Sequence, residues 1–315
     1  MSRLHTQAHF FTQLRLGYLC VLKVMPQDRD ELILAKFEEA LVRSALSSST
    51  VVNYLADLRA FLRWGKNEAG GSFSLLNVTQ RHIRLYREYL AQKLKRAAST
   101  VNRHLMALRK FFTFAREAGI VLEDPTRGVA LVQNSGQACS RPLSASEVKR
   151  LLAAAQNGAR AGLVRRDVAI LHLLLATGLR VSEVVALQKD DLVFSHPGVH
   201  LEVSNGSERD EIRHLPLSGK ICKLLQEYLE IRPQTSSFSH LFLSQEGRPI
   251  SSRTIQRIIS DCARTASLEG VSAQSLRRTF ALYLFSETQN LELVSRRLGH
   301  QSVTITEQYL AVHDH

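Results

Sequence analysis

The stretch LLATGLRVSE, residues 174–183, joins two helical patterns through a single glycine. Residues 168–176 are almost wholly apolar, which predicts a helix that is buried on all sides. Gly178 lets the chain bend tightly, and helical spacing resumes at Val181. Arg180 is therefore expected to project from a buried junction, where an arginine is costly unless it is paired or binds a ligand.

The residues on both sides of this junction predict a mainly helical domain with a small sheet. Ser144 and Glu147 have the spacing of a capping box, which begins a helix. Alternating apolar residues flank Asn205-Gly206 and predict a β-hairpin with strands at 199–203 and 212–217. Further helices are predicted at 254–266, 274–285, 291–298 and 304–310. This domain is expected to span residues 143–315.

The residues before this domain predict a smaller, all-helical domain at 31–125. Apolar residues recur at steps of three and four through 51–62, the pattern of an amphipathic helix. Similar patterns predict helices at 31–41, 78–94 and 100–118. A linker is predicted at 126–142, which includes a polar, turn-rich stretch, and residues 1–30 form an N-terminal extension.

The charge of the chain points to an anionic partner. Its 315 residues carry a formal charge of +12, and residues 1–125 hold 19 Lys and Arg against 11 Asp and Glu. Acidic partners one helical turn away are scarce there, so the excess is expected to face a phosphate backbone. The side chains predicted to contact DNA are Arg59, Arg63, Arg103, Arg109 and Lys110.

The same composition argues against several classes of protein. The four cysteines lack paired spacing, which argues against a disulfide scaffold or a zinc finger. The longest uncharged apolar run is far shorter than the roughly 20 residues of a membrane span. Without a signal peptide, a cytoplasmic protein is expected. No nucleotide-binding glycine motif occurs, so no cofactor is expected, and His313 and His315 at the chain end predict no metal site.

Four further positions carry groups that suit phosphodiester chemistry. Gln274 and Arg277 are three residues apart, on one face of a predicted helix. His300 follows a glycine at a helix end, and Tyr309 lies nine residues further on. Arginines hold a phosphodiester by charge-assisted bonds, a histidine donates to an oxygen of it, and a tyrosine hydroxyl attacks phosphorus. Such a scheme requires no metal.

Three motifs resemble the tyrosine recombinase family, most closely its Xer-like and phage-integrase-like members. They are TGLRVSE (177–183), LRRTFA (276–281) and LGHQSVTITEQY (298–309). The resemblance extends over residues 31–310 and implies a SAM-like, core-binding helical domain followed by an α+β catalytic domain. It implies a site-specific recombinase that cleaves and rejoins duplex DNA through a 3′-phosphotyrosyl intermediate. It also implies a homo- or hetero-tetramer on DNA that uses neither ATP nor a cofactor.

The resemblance assigns a role to each matching position. Arg180 and Arg277 would clamp the scissile phosphate, and His300 would hydrogen-bond to it. Tyr309 would be the nucleophile. Glu183 matches an acidic position that would support Arg180.

Two positions depart from the family pattern. Gln274 stands where the family usually has histidine, and a glutamine cannot transfer a proton. The family also places a lysine in the hairpin, which would protonate the leaving 5′-oxygen. No lysine occurs between Lys189 and Lys220, and the position falls near Asn205. Arg209 or Arg213 could supply charge, but an arginine releases its proton poorly.

These departures leave alternatives open. The protein could be a recombinase slowed by the two changes, a catalytically impaired DNA-binding regulator, or the partner subunit of a heteromeric recombinase. A type IB topoisomerase shares the chemistry, but the motif spacing favours an integrase-like enzyme.

Overall fold

The computed structural model describes residues 26–44, 46, 48–68, 73–133, 141–158, 161–195, 198–204, 212–233 and 237–311. The chain divides into two compact units, Met1–Gln137 and Ala138–His315. Among the described residues, no helix is long and apolar enough to cross a membrane.

The described part of the first unit is helical, as predicted. Its helices are α1 (Pro26–Arg43), α2 (Ser48–Glu68), α3 (Gln80–Glu88) and α4 (Ala98–Glu117), with a 3-10 turn at Leu75–Asn77. The helix predicted at 78–94 is α3 followed by a π-helical turn, Tyr89–Lys93. Phe37, Phe61 and Phe111 are fully buried in one core, so the apolar spacing does mark the faces that pack together.

The first unit extends beyond residue 125, where the linker was predicted to begin. The side chain of Asn102 donates to the carbonyl of Val132 at 2.9 Å and accepts from its amide at 2.8 Å. Val129 is buried in the helical core. Residues 126–133 therefore pack as part of the helical unit, because their apolar side chains and backbone groups find partners there. The polar stretch 134–140 lies outside the described residues.

The second unit contains helices around a small sheet, which confirms the predicted fold class. Its elements are α5 (Ala145–Gln156), α6 (Ala161–Thr177), α7 (Val181–Ala186), β1 (Leu192–Ser195), β2 (Gly198–Ser204), β3 (Ile212–Leu217), α8 (Gly219–Ile231), α9 (Ser252–Thr265), α10 (Ala273–Thr288), α11 (Leu291–Leu298) and α12 (Val303–Ala311). Helix α6 carries the apolar stretch 168–176 and is buried over residues 168–174, as predicted, whereas Leu175 and Ala176 are partly buried. The capping box of Ser144 and Glu147 is present at the start of α5.

The three strands form an antiparallel sheet in the order β1-β2-β3. The two predicted strands are β2 and β3, whereas β1 has four residues and was not predicted. In β3, Arg213, Leu215 and Leu217 are buried and the residues between them are exposed. This alternation points Arg213 into the unit, towards the helices that carry the motifs.

Candidate active site

Arg277 lies near the start of α10 and is 5% exposed. Its Nη1 donates to the carbonyl of Gly178 at 2.6 Å, and its Nη2 donates to the carbonyl of Leu298 at 2.7 Å. Burial and the charge of Arg180 lower the pKa of Arg277 to about 10, so it stays charged at neutral pH. The two carbonyls take two of its five N–H groups, and the others can serve an anion.

The carboxylate of Glu183 holds the arginines of the site together. Its Oε1 accepts from Nη1 of Arg180 at 2.9 Å and from Nη2 of Arg213 at 2.6 Å. Its Oε2 accepts from the backbone amide of Arg180 at 2.7 Å and lies 4.0 Å from Nη1 of Arg277. Three guanidinium groups share one carboxylate, which leaves a formal charge of +2. This excess suits a phosphodiester, which can accept charge-assisted bonds from several donors.

Arg180 projects from the buried junction and is paired, in line with the expectation from the sequence. Gly178 and Leu179 are buried, but the side chain of Arg180 is 45% exposed. Its Nη2 lies 3.3 Å from the carbonyl of Gly299. The buried arginines beside Glu183 are Arg277 and Arg213, and the alternation of β3 directs Arg213 inward. Arg180 is therefore held on one side by Glu183 and open to solvent on the other.

Two glycines, Gly178 and Gly299, allow the chain segments around the arginines to pack closely. Gly178 has φ +64°, and a Cβ there would lie 2.3 Å from the ring of Phe280. Gly299 ends α11 with φ +64°, and a Cβ there would lie 2.7 Å from Nη1 of Arg213. Both positions need the left-handed region and the missing side chain, so a larger residue would displace Phe280 at position 178 and Arg213 at position 299.

His300 follows directly after Gly299 and is held by α12. Its Nδ1 lies 2.8 Å from the hydroxyl of Thr306, which is fully buried. Burial, reinforced by Arg277 and Arg180, lowers the pKa of His300 to about 4. The imidazole is therefore neutral at physiological pH, with one ring nitrogen a donor and the other an acceptor.

Tyr309 packs between His300 and an arginine that the motif analysis did not assign. The rings of His300 and Tyr309 meet edge to face, with centroids 5.5 Å apart. The guanidinium carbon of Arg278 lies 4.9 Å from the centroid of the Tyr309 ring. Burial raises the pKa of the Tyr309 phenol, and the charges of Arg277 and Arg278 oppose that rise. The surrounding arginines thus favour the phenolate that a nucleophilic attack would use.

A cleft opens beside the arginines at the start of α10. Arg180, Gln274 and Arg277 line it, together with Gln256 and Ser260 of α9. Gln274 and Arg277 line the same cleft, in line with their predicted position on one helix face, and the structure adds Arg180 to it. The amide of Gln274 can donate to or accept from a ligand in the cleft, but it cannot take up a proton.

The two predicted hairpin residues Asn205 and Arg209 lie outside the described residues. The motif analysis missed Arg278, Thr306 and Arg297. Arg297 donates to the carbonyl of His214 at 2.9 Å and its own carbonyl accepts from Arg213 at 2.9 Å, which ties α11 to β3. Of these three residues, Thr306 was the easiest to predict from the sequence. It lies between His300 and Tyr309, and a hydroxyl near a functional histidine often orients the imidazole.

The basic residues predicted to contact DNA differ in their surroundings within the helical unit. Arg103 donates to the buried carboxylate of Asp57 at 2.7 Å, and Arg59 lies 3.6 Å from Glu31. These acidic partners belong to other helices, so the spacing along one helix could not reveal them. Arg109 donates to the carbonyl of Val129.

Arg63 and Lys110 are exposed. The side chains of Arg59 and Arg103 are each 46% exposed, so their ion pairs leave part of each guanidinium accessible to solvent.

Comparison with known proteins places the chain in a family. The phage integrase family matches residues 141–315, and the SAM-like N-terminal domain of phage integrases matches residues 34–119. Tyrosine recombinase XerC of Roseiflexus castenholzii is 30% identical over 270 residues, which cover 84% of this chain and 83% of that protein.

Solved structures share the fold. The XerH site-specific recombinase bound to its palindromic difH substrate has a TM-score of 0.70 at 18% identity, covering 92% of this chain and 94% of that one. A lambda integrase tetramer bound to a Holliday junction has a TM-score of 0.66 at 19% identity, covering 89% and 76%. The match over more than half of the chain, and the identity to XerC along most of it, show that this chain belongs to the phage integrase family of tyrosine recombinases.

Proposed function

We propose that the protein is a site-specific DNA recombinase that cleaves and rejoins duplex DNA through Tyr309. The observation that carries this proposal is the gathering of Arg180, Arg277 and His300 around one positive site with Tyr309. A phosphodiester in the cleft would meet the two guanidinium groups from two sides. The buried phenol would lie beside them, under the influence of their charges and of one further positive charge, that of Arg278.

Cleavage and rejoining are each a single transesterification at the scissile phosphorus. The phenol oxygen of Tyr309 attacks the scissile phosphorus, a 3′-phosphotyrosyl bond forms, and the bond to the 5′-oxygen breaks. The phenol loses its proton, and the leaving 5′-oxygen gains one. Arg180 and Arg277 stabilise the charge on the non-bridging oxygens, where it grows in the transition state. A 5′-hydroxyl of a partner strand reverses the step, so no ATP is required.

His300 serves this step as a neutral donor. The pKa of about 4 keeps it uncharged, and we infer that the hydroxyl of Thr306, 2.8 Å away, donates to its Nδ1. The proton then resides on Nε2, which is free to donate to a non-bridging oxygen. Thr306 is thus a positioning residue that selects the tautomer of His300.

Replacing Thr306 with valine is expected to lower the cleavage rate by at least about tenfold, because His300 loses the bond that selects its tautomer. Single-turnover cleavage of a labelled DNA duplex measures the rate. Thr306→Ser, which keeps the hydroxyl, is expected to restore most of it. Thr304→Val makes the same change at an exposed position of the same helix and serves as the control. Equal rates for the valine and serine variants at position 306 would contradict the role of the hydroxyl.

Duplex DNA is the proposed partner, and a tetramer is the proposed assembly. Among similar structures, XerH is bound to difH and lambda integrase forms a tetramer on a Holliday junction. The +12 charge supports contact with phosphates, and Arg63 and Lys110 are exposed candidates in the helical unit. Arg59, Arg103 and Arg109 would contribute through the part of each side chain that their internal partners leave open. The cytoplasm, where bacterial DNA lies, is the proposed compartment.

Gln274 is proposed to slow the reaction, because it lines the cleft with an amide where a proton-transferring imidazole would otherwise stand. Asn205, near the position of the family's hairpin lysine, adds to this effect. Arg213 is an unsuitable replacement, because its guanidinium is buried and bonded to Glu183 and to a carbonyl.

Replacing Gln274 with histidine is therefore expected to raise the cleavage rate by about tenfold or more. The matched control is Gln256→His, which introduces an imidazole on the other wall of the same cleft. Single-turnover rates of the three proteins on one DNA substrate decide the outcome. A rate for Gln274→His at or below the parent would remove Gln274 as the cause of slow chemistry.

A second candidate function is favoured by the same glutamine. A protein with an impaired proton-transfer group could bind DNA as a regulator or act as one subunit of a heteromeric recombinase. Mixing the protein with a second recombinase from the same cell separates these functions. Strand exchange that requires both chains supports the heteromer, and binding without any cleavage supports the regulator.

Covalent trapping tests the main proposal. A duplex with a nick near the cleavage point loses its short product by diffusion, so a phosphotyrosyl adduct accumulates. Denaturing electrophoresis is expected to reveal a protein–DNA adduct with the unmodified protein. Its absence on a duplex that the protein binds specifically would rule out a competent enzyme.

A further inference from the structure

Two histidines and a glutamate lie together on one face of the β2–β3 hairpin. Glu202 of β2 is directly opposite His214 of β3, and His200 lies two residues before Glu202 on the same strand. Side chains two apart on a strand share a face, so all three project to the same side of the sheet. Arg213 belongs to the opposite face and is part of the arginine cluster around Glu183. The three residues are therefore separate from the candidate active site.

The distances from Glu202 to the two histidines are close to the spacing of ligands around one metal ion. Oε1 of Glu202 lies 3.5 Å from Nε2 of His200 and 3.5 Å from Nδ1 of His214. The three ligand atoms all lie within 4.8 Å of one another. Bonds of about 2.0–2.1 Å at tetrahedral angles separate two ligands by about 3.4 Å. A common ion between the three side chains would thus require only small adjustments.

We propose that His200, Glu202 and His214 bind a divalent transition-metal ion, with zinc as the best fit. Two imidazoles and one carboxylate suit Zn²⁺, whereas Mg²⁺ and Ca²⁺ prefer sites made of oxygen ligands. The side chains are 24%, 35% and 61% exposed in that order, which leaves the fourth position open to water. The bound ion would tie β2 to β3 at the strands that lead into residues 205–211. Its effect would be to stabilise the hairpin by linkage.

Metal titration of the full-length protein tests this site. Co²⁺ serves as the probe, because tetrahedral Co²⁺ sites absorb visible light strongly, and Zn²⁺ is then added to displace it. One equivalent of Co²⁺ is expected to give a tetrahedral spectrum that Zn²⁺ removes. His200→Gln, Glu202→Gln and His214→Gln are each expected to weaken binding by more than about tenfold, because even indirect partners of metal ligands contribute 10–100-fold.

Two controls separate this site from other histidines. His82→Gln removes an imidazole from the helical unit and is expected to leave binding unchanged. The double variant His313→Gln, His315→Gln removes the histidines at the chain end, with the same expectation. The proposal is overturned if no tetrahedral spectrum appears, or if the three variants of the cluster bind as tightly as the parent. Hydrogen exchange gives a second readout, in which Zn²⁺ is expected to slow the amides of β2 and β3 only in proteins that keep the cluster.

Discussion

Replacing Tyr309 with phenylalanine is expected to abolish the covalent protein–DNA adduct and leave DNA binding unchanged. The substitution removes the one oxygen that would attack phosphorus. It keeps the aromatic ring that packs against His300 and Arg278. The unfolding midpoint should therefore move little, while trapping on a nicked duplex falls below detection.

The Tyr309→Phe variant can also be used to identify the DNA sequence that the protein binds. A protein that binds without cleaving can select bound sequences from a random duplex library, and the selected duplex then becomes the substrate for trapping. The matched control is Tyr283→Phe, which removes a hydroxyl from an exposed tyrosine of α10. This control is expected to form the adduct like the parent. An adduct of normal yield with Tyr309→Phe would identify another nucleophile and remove Tyr309 from the mechanism.

Local sequence signals predicted several helices of the second unit. The apolar run before Gly178 predicted a buried helix, and the pair Ser144 and Glu147 predicted a helix start, because both signals depend on neighbours along the chain. The strand β1 escaped prediction because four residues are too few for a pattern of alternation. Helix α8 was also not predicted. Its apolar spacing was present in the sequence, but the helix contains none of the motifs.

The partners of the site residues were harder to predict, because tertiary packing selects them. Glu183 and Arg213 are thirty positions apart, and they meet only because β3 turns Arg213 inward. Arg278 could be assigned to the Tyr309 ring only once α10 and α12 were placed together. The motifs therefore predicted candidate site residues, and the fold shows which other side chains contact them.

Arg277 illustrates this dependence, and its replacement with lysine is expected to damage both stability and catalysis. The guanidinium bridges two buried carbonyls, at Gly178 and Leu298, which lie on two separate motif segments. An ammonium keeps the charge but cannot span both carbonyls in a fork geometry, so one of them loses its partner. A lost hydrogen bond to a buried charged group costs about 1.5–3 kcal/mol in the free energy of unfolding. The cleavage rate is expected to fall by about 10²–10³-fold, because the clamp on the phosphate is lost as well.

Urea unfolding followed by circular dichroism measures the loss of stability, and single-turnover cleavage measures the loss of catalytic rate. Trp64, the single tryptophan, lies in the helical unit, so its fluorescence follows the unit that the substitution does not touch. Arg296→Lys, an exposed change on α11, is the control and should alter neither quantity. Loss of stability with an unchanged cleavage rate would mean that Arg277 only supports the fold. Loss of cleavage at unchanged stability would mean that the carbonyl bridge is dispensable. The buried fork predicts both losses together, because one guanidinium joins the motif segments and, in the proposed mechanism, would present its remaining N–H groups to the phosphate.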